Sequence, residues 1–243
     1  MQKIFGRKPV LEALKSDEEI EVVYIAFGQH GDIISQIMSA AKKKGVKITQ
    51  IATQKYDNLT EGQNAQGVVA LKSVQKYFEL GELIHKSKES PLPLLLLLDS
   101  IQDTHNLGAI LRSAECAGVD GVIITTNQSA PINEMVEKIS AGAVSHLKIC
   151  KVNNLVRTIE DLKKNGFWVV GTHLSGEKNY NQLDYKMPVA LVMGNEEKGI
   201  RKLVAENCDF LVKIPMKGKL DSLNVSVSTG ILLFEIIRQR SSD

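Results

Sequence analysis

Short, unbroken apolar runs recur along the chain from residue 94 onward, and segments with apolar residues at helical spacing separate them. Such runs are typical of strands buried on both faces of a parallel sheet that helices cover. The pattern predicts strands at 94–98, 121–125, 147–150, 168–172, 189–193 and 210–214. It predicts helices at 107–117, 133–141, 155–165, 200–205 and 225–240. The fold class that follows is α/β, with a mostly parallel sheet.

The first 72 residues carry a shorter alternation of the same kind. The pattern there predicts helices at 9–14 and 33–44 and strands at 22–27, 46–51 and 67–71. Residues 73–92 are rich in charge and serine, which is typical of a linker with room for one or two helical turns. We therefore predict a small α/β domain at 1–72, a linker at 73–92 and a larger domain at 93–243.

Composition narrows the class of protein without deciding its function. Of the 243 residues, 43% are hydrophobic and 24% are charged, as in ordinary globular domains, and the net charge of +2 does not by itself call for nucleic acid. The start of the chain lacks an apolar signal segment, and no apolar run is long enough to cross a membrane. We expect a cytoplasmic location.

Cysteines and histidines give no sign of a metal or a disulfide framework. The three cysteines are far apart and form no CxxC pair, so neither a zinc site nor a set of disulfides is predicted. His105, His146 and His173 share no metal-ligand spacing, and we interpret each as a surface or core residue. We predict no metal.

Glycines and polar side chains follow four of the predicted strands, in the segments 99–106, 172–173, 194–196 and 215–224. The carboxyl ends of parallel strands meet at one edge of the sheet, so a ligand site is expected there. The chain contains neither GxGxxG nor GxxxxGK[ST], so we expect neither a Rossmann dinucleotide site nor a P-loop.

Each of these segments also has an ordinary structural explanation. Asn106 would cap a helix that begins at Leu107, and residues 194–199 would form a flexible turn. The hydroxyls within 222–229 would bond to the backbone of their own helix. Arg112 is predicted to lie on an otherwise apolar helix face, where an arginine is either paired or directed at an anion.

Three motifs stand at these strand ends and are specific when taken together. Asn106, Gly108 and Arg112 form Asn-x-Gly-x-x-x-Arg, and residues 194–196 read Gly-Asn-Glu. Residues 214–226 begin with Ile-Pro-Met and end with Ser-Leu-Asn-Val-Ser. In this order the motifs resemble those of the SpoU/TrmH family of RNA ribose 2′-O-methyltransferases, across the larger predicted domain.

The N-terminal part resembles the small RNA-binding domain common in this family, through residues 6–14 and 65–70. Two positions depart from the family's usual residues: Ala65 stands where His is common, and Gln128 where Arg is common. The most similar pattern is that of bacterial enzymes that methylate a guanosine ribose in 23S ribosomal RNA. A transfer-RNA guanosine methyltransferase and a non-catalytic RNA-binding or ribosome-assembly protein stay open as alternatives.

The resemblance implies properties that the apolar pattern does not. It implies a deep trefoil knot in the larger domain, S-adenosyl-L-methionine as the cofactor, ribosomal RNA as the partner and a homodimer. The catalytic residues that it implies are Asn106, Arg112, Glu196 and Asn224. The cofactor-binding residues that it implies are Thr172, Gly194, Ile214, Ser222 and Leu223.

Overall fold

The computed structural model describes residues 3–16, 18–72, 76–173, 176, 178–195 and 198–241. The chain divides into two compact units. The smaller comprises Met1–Lys76 with Pro131–Glu134, and the larger comprises Tyr77–Ala130 with Met135–Asp243. In the described part of the chain, no helix is long and apolar enough to cross a membrane.

The smaller unit is a four-stranded sheet with helices on both faces. Its elements are β1 (Lys3–Phe5), α1 (Arg7–Lys15), β2 (Ile20–Ala26), α2 (Asp32–Lys44), β3 (Lys47–Ile51), α3 (Thr53–Thr60) and β4 (Val68–Lys72). The strand order is β1-β4-β2-β3, in which only β2 and β3 run parallel. Apolar residues of α1 and α2 pack on one face, and Tyr56 of α3 packs on the other.

The larger unit contains seven strands and most of the helices of the described chain. Its elements up to β8 are α4 (Leu80–Ser87), β5 (Leu94–Asp99), α5 (Thr104–Cys116), β6 (Gly121–Thr125), α6 (Glu134–Ile139), β7 (Ile149–Val152), α7 (Leu155–Lys164) and β8 (Trp168–Thr172). They are followed by β9 (Lys178–Asn179), β10 (Val189–Gly194), α8 (Lys202–Glu206), β11 (Phe210–Lys213) and α9 (Val225–Arg240). Short 3-10 turns lie at Ala143–His146 and Tyr180–Gln182.

All seven strands form one parallel sheet in the order β7-β6-β5-β10-β8-β11-β9. The leucines of β5 are at most 2% exposed, because β5 is an interior strand, between β6 and β10, with helices over both faces. In the pairing of β5 with β10, Gly194 lies opposite Asp99, so both strands end side by side. The predicted α/β fold with a parallel sheet is confirmed, while the knot stays a prediction.

The start of α5 corrects one sequence expectation. The helix begins at Thr104 and not at Leu107, and its N-cap is Asp103, whose side chain accepts a hydrogen bond from the Asn106 amide at 2.8 Å. Asn106 therefore occupies the first turn of the helix and does not cap it. Asp and Asn cap helices about equally well, so only the geometry decides between candidates three residues apart.

The segment predicted as a linker contains α4. Leu83 and Ile84 of this helix are buried in the core of the larger unit, beside strands β5 and β6. The strand predicted at 147–150 is Ile149–Val152 in the structure. Leu147 is buried at the end of a 3-10 turn, so its apolar character reflects packing and not strand pairing.

The last turn of α9 is tied to the rest of the larger unit by one arginine. Arg240 donates from Nη1 to the Leu92 carbonyl at 2.7 Å and from Nη2 to the Met187 carbonyl at 2.7 Å. Its Nε donates to the Tyr185 carbonyl at 3.1 Å. One cation thus satisfies three carbonyl groups from two segments of the chain.

We expect Arg240→Met to lower the free energy of unfolding by about 2–4 kcal/mol, because partly buried carbonyls would lose a charged donor. Chemical denaturation followed by circular dichroism measures this. Arg238→Met is the matched control, since Arg238 lies on the same helix, has a 63% exposed side chain and pairs with Glu235 one turn away. Equal losses in both variants would contradict the proposed importance of the three carbonyl bonds.

Candidate functional site

A cavity of about 210 Å³ opens at the carboxyl ends of β8, β10 and β11. The segment after β11 and the first turns of α9 complete its walls. Five residues predicted from the sequence to bind a cofactor all line it, namely Thr172, Gly194, Ile214, Ser222 and Leu223. The structure therefore brings together residues from well-separated segments, at the sheet edge where a ligand site was expected.

Gly194 sits at a position that only glycine fits. A Cβ atom built on Gly194 would lie 2.1 Å from the carbonyl carbon of Gly199 and 2.1 Å from the amide nitrogen of Ile200. The turn is closed by two backbone bonds, from Asn195 N to Gly199 O at 3.0 Å and from Gly199 N to Asn195 O at 2.8 Å. The backbone of the turn therefore packs directly on the end of β10 and forms part of the cavity wall.

A buried carboxylate fixes the ends of β5 and of this turn. Asp99 is fully buried and accepts from the Arg201 amide at 2.8 Å and from Arg201 Nε at 2.7 Å. Ser100 Oγ donates to the same carboxylate at 3.2 Å, and Asn195 Nδ2 donates to the Ser100 carbonyl at 3.2 Å. Both flanks of the turn are therefore attached to the end of β5.

Gln128, which departs from the family's usual arginine, lies beside this cluster. Its Oε1 accepts from Ser100 Oγ at 3.3 Å, and its φ of 60° is in the left-handed region that few residues other than glycine adopt. Ser100 also has a left-handed φ, of 66°. Gln128 thus supports the backbone around the buried carboxylate.

The two asparagines predicted to be catalytic are in direct contact. Asn224 Nδ2 donates to Asn106 Oδ1 at 2.8 Å. Asn224 is also the N-cap of α9, because its Oδ1 accepts from the Ser226 amide at 2.8 Å and from Ser226 Oγ at 2.6 Å. This contact joins the starts of α5 and α9, next to Leu223 in the cavity wall.

Arg112 lies elsewhere on α5 than the sequence suggested. The apolar face of α5 consists of buried residues such as Leu107 and Leu111, whereas Arg112 points outward and is exposed. The expectation of an apolar setting was wrong, because that face turns away from position 112. Arg112 does not line the cavity, and it forms no hydrogen bond or ion pair with any described residue. Glu196, the other predicted catalytic residue, lies outside the described residues.

Several cavity residues were not predicted. His173, interpreted from the sequence as a surface or core residue, lines the cavity, as do Lys198, Met216 and Ser228. The available signal for His173 was its place directly after a buried strand. In the described part of the chain, no group of three His, Cys, Asp or Glu side chains is arranged to hold a metal.

Thiolate chemistry is excluded at two of the three cysteines. Burial raises the pKa of Cys150 to about 12 and that of Cys208 to about 12, so both thiols stay protonated near neutral pH. A Cβ on Gly171 of β8 would lie 2.7 Å from the Cys208 sulfur, which shows how tightly this thiol is packed. These cysteines fill the core and are not nucleophiles.

Residues 93–234 match the family model described as SpoU rRNA Methylase family, which is more than half of the chain. The chain belongs to this family. Residues 3–77 match a second model, described as RNA 2′-O ribose methyltransferase substrate binding. The family resemblance inferred from the three motifs is thereby confirmed.

Relatives of the family cover nearly the whole chain. A protein from Bacillus subtilis, named as a TrmH family tRNA/rRNA methyltransferase, is 40% identical over 98% of this chain and 96% of its own length. A protein of the same family name from Staphylococcus aureus is 38% identical over the same shares of both chains. These names leave the choice between transfer RNA and ribosomal RNA open.

Solved structures of family members have the same fold. The AdoMet-bound rRNA methyltransferase from Sinorhizobium meliloti has a TM-score of 0.63 and 29% identity, over 99% of this chain and 88% of that one. The A. aeolicus TrmH/SpoU tRNA modifying enzyme has a TM-score of 0.58 and 36% identity, over 66% of this chain and 82% of that one.

We expect Gly194→Ala to destabilise the ligand-free protein by about 3 kcal/mol, near the upper end of the usual cost of overpacking. The added methyl group would overlap the Gly199–Ile200 backbone. Thermal and chemical unfolding measure the loss. Gly218→Ala is the control, because a Cβ there meets no atom within 4 Å. Wild-type stability in Gly194→Ala would show that the turn is free to move off β10.

Proposed function

We propose that this chain transfers a methyl group from S-adenosylmethionine to the ribose 2′-hydroxyl of a guanosine in 23S ribosomal RNA. Membership of the SpoU family supports RNA methylation in general. The observation that carries the proposal is the single cavity lined by all five predicted cofactor residues. The substrate base and the ribosomal target are the more specific part of the proposal.

The lining of the cavity suits the chemistry of the proposed cofactor. Its walls combine apolar side chains, such as Leu223 and Leu232, with the hydroxyls of Thr172, Ser222 and Ser228. A nucleoside needs this mixture, because its base packs against apolar groups and its ribose forms hydrogen bonds. When bound, S-adenosylmethionine supplies an electrophilic methyl group. The Sinorhizobium meliloti relative, described as AdoMet-bound, supports the same assignment here.

The exposure of Arg112 suits a residue that binds an anionic group of the substrate. It is exposed and forms no bond with any described residue, so its guanidinium is available to an RNA phosphate. Arginine is not deprotonated in proteins, which disfavours Arg112 as the general base. The phosphate or a water takes the proton of the 2′-hydroxyl as its oxygen bonds to the methyl group, and S-adenosylhomocysteine leaves. The proposed role of Arg112 is to hold the phosphate beside the target ribose and to stabilise the negative charge that develops on the 2′-oxygen.

The remaining predicted catalytic residues would position the ribose and Arg112. The bond between Asn224 and Asn106 fixes both amides, and Asn224 is further held by Ser226. A fixed amide orients a hydroxyl better than a mobile one, because less entropy is lost on binding. Glu196 is proposed to keep the polar groups of the site in register.

Two observations bear on the choice of RNA. The rRNA methyltransferase from Sinorhizobium meliloti aligns with 99% of this chain, including the smaller unit, which favours ribosomal RNA. The tRNA modifying enzyme from A. aeolicus aligns with only 66% of the chain but at a higher identity of 36%, which favours the alternative of a transfer-RNA methyltransferase. The smaller unit, which matches the substrate-binding model, is proposed to bind the RNA.

The surface of α9 supports the proposed homodimer. Val227 and Phe234 lie two turns apart on one face of this helix and are 50% and 51% exposed. The opposite face of α9 is buried, partly against α5. An aromatic ring exposed on a helix that is apolar on both sides is a common feature of subunit interfaces. A second copy of the chain is the proposed occupant.

We expect Arg112→Ala to lower the rate of methyl transfer to RNA at least about 100-fold, the usual effect of removing one key electrostatic group. Binding of S-adenosylmethionine, measured as a rise in the unfolding temperature, should stay at the wild-type value. Arg157→Ala, at another exposed arginine, is the control. Normal turnover in Arg112→Ala would contradict the role of Arg112. A wild-type protein that binds no cofactor would favour the non-catalytic alternative.

We expect Phe234→Glu to convert the proposed dimer into a monomer, because a charge would be buried in an apolar contact. Size-exclusion chromatography with light scattering measures the mass. Leu203→Glu is the control, since Leu203 is 64% exposed on α8. A dimer that survives Phe234→Glu would place the interface elsewhere, and a monomeric wild type would refute the homodimer.

A further inference from the structure

The smaller unit contains a polar groove of about 530 Å³, separate from the cofactor cavity. The start of α1, the segment after β2, helix α3 and the turn before β4 form its walls. The proposed methyl transfer does not account for this groove, because all five predicted cofactor residues line the other cavity. Its lining therefore needs a separate explanation.

Side-chain amides dominate the groove. Gln29, Gln63, Asn64 and Gln66 all line it, and the last three are exposed. An amide both donates and accepts hydrogen bonds, as the edges of nucleobases do. Charge is balanced there, since Arg7 and Asp57 both line the groove, so a site for phosphate alone is disfavoured. The lining suits recognition of base edges.

Arg7 is held in place but keeps a donor for a ligand. Its Nε donates to the Gln66 carbonyl at 3.0 Å, and its Nη2 donates to Gln29 Oε1. The other terminal nitrogen, Nη1, forms no bond with a described residue. A guanidinium fixed in this way can reach one phosphate or one base acceptor without losing further side-chain freedom.

Tyr56 lines the same groove, with its hydroxyl buried beneath the surface. The side chain lines the groove and is only 8% exposed, and its hydroxyl is the one buried side-chain polar group without a hydrogen-bond partner in the described chain. It lies near the backbone amides of Gly67 and Val68, which form the turn before β4. The ring of Tyr56 therefore forms part of the floor under the amide side chains of the groove.

An exposed aromatic residue follows β2 and is close along the chain to the groove-lining Gln29. Phe27 is 59% exposed and stands two residues before Gln29. The end of β2 runs along the groove wall, because the Ala26 amide donates to the Gly67 carbonyl at 3.0 Å. Exposed aromatic rings next to polar grooves are platforms on which unpaired bases stack.

We propose that this groove binds an unpaired stretch of RNA. One base edge bonds to the side-chain amides, Arg7 contacts the backbone, and a neighbouring base stacks on Phe27. The proposal rests on the proposed function, since it takes RNA as the substrate. It adds the form of RNA that is read: a paired helix hides its base edges and offers no free ring for stacking.

The test measures binding of fluorescein-labelled RNA to the full chain, without cofactor, by fluorescence anisotropy. The probes are a mixed-sequence single strand of about ten nucleotides, within the usual site size, and a duplex of equal length. Phe27→Ala should weaken single-strand binding about tenfold, and Asn64→Ala by a smaller factor. Met38→Ala and Gln36→Ala are matched controls at exposed positions on α2 and should bind as the wild type does.

Several results would overturn the groove proposal. These are no single-strand binding by the wild type, unchanged binding in Phe27→Ala and Asn64→Ala, or equal losses in the α2 controls. Methyl transfer is measured on the same preparations to separate the two proposals. Transfer without dependence on Phe27 would refute the groove alone. Binding that depends on Phe27 in a protein without transfer activity would refute the proposed function and leave the groove.

Discussion

A single buried carboxylate holds the functional edge of the larger unit together. Asp99 is fully buried, and a buried charge costs several kcal/mol unless it is paired and hydrogen-bonded. Three donors meet that need: the amide and Nε of Arg201, and Ser100 Oγ. Because Arg201 follows the turn after β10, pairing the charge also fixes where that turn lies. Since this turn forms one wall of the cofactor cavity, its position helps to set the shape of the cavity.

The walls of the cofactor cavity and the side chains assigned to the RNA belong to different kinds of element. The cavity walls are largely strand ends and close-packed backbone, such as Gly194 against Gly199, and they change little without a change in the fold. The side chains assigned to the RNA project from helices. Asn106 and Asn224 are fixed by their mutual bond, whereas Arg112 is exposed and forms no bond with a described residue. A fixed cavity suits the binding of a small cofactor, and an exposed arginine suits contact with a large polymer.

The sequence predicted most of the sheet because its strands are buried on both faces. The runs at 94–98, 121–125 and 189–193 have almost no polar residues, and the structure places strands on all three. Elements that bury little were missed: α3 is mostly polar, and β9 has only two residues. The start of α5 was misplaced because Asp103 and Asn106 are both good caps.

The sequence predicted which residues belong to the candidate site, but it did not predict which of them contact one another. Glycines and hydroxyls after buried strands identified the cavity residues, because parallel strands share one functional edge. The bond between Asn106 and Asn224, and that between Asp99 and Arg201, each join residues about a hundred positions apart. No local pattern encodes such contacts. The exposure of Arg112 likewise depends on how α5 packs against the sheet.

The low net charge of the chain limits how it can recognise RNA. A protein that binds through many phosphates carries a large positive charge and loses affinity steeply with salt. This chain has a net charge of only +2, so its affinity must come from a few placed groups. Arg112 on α5 and Arg7 among the amides of the groove are such groups, each available to an anion or a base. Recognition through base edges and stacking adds affinity beyond that of phosphate contacts, and it requires unpaired nucleotides. The near-neutral charge of the chain and its amide-lined groove therefore both favour recognition of unpaired RNA.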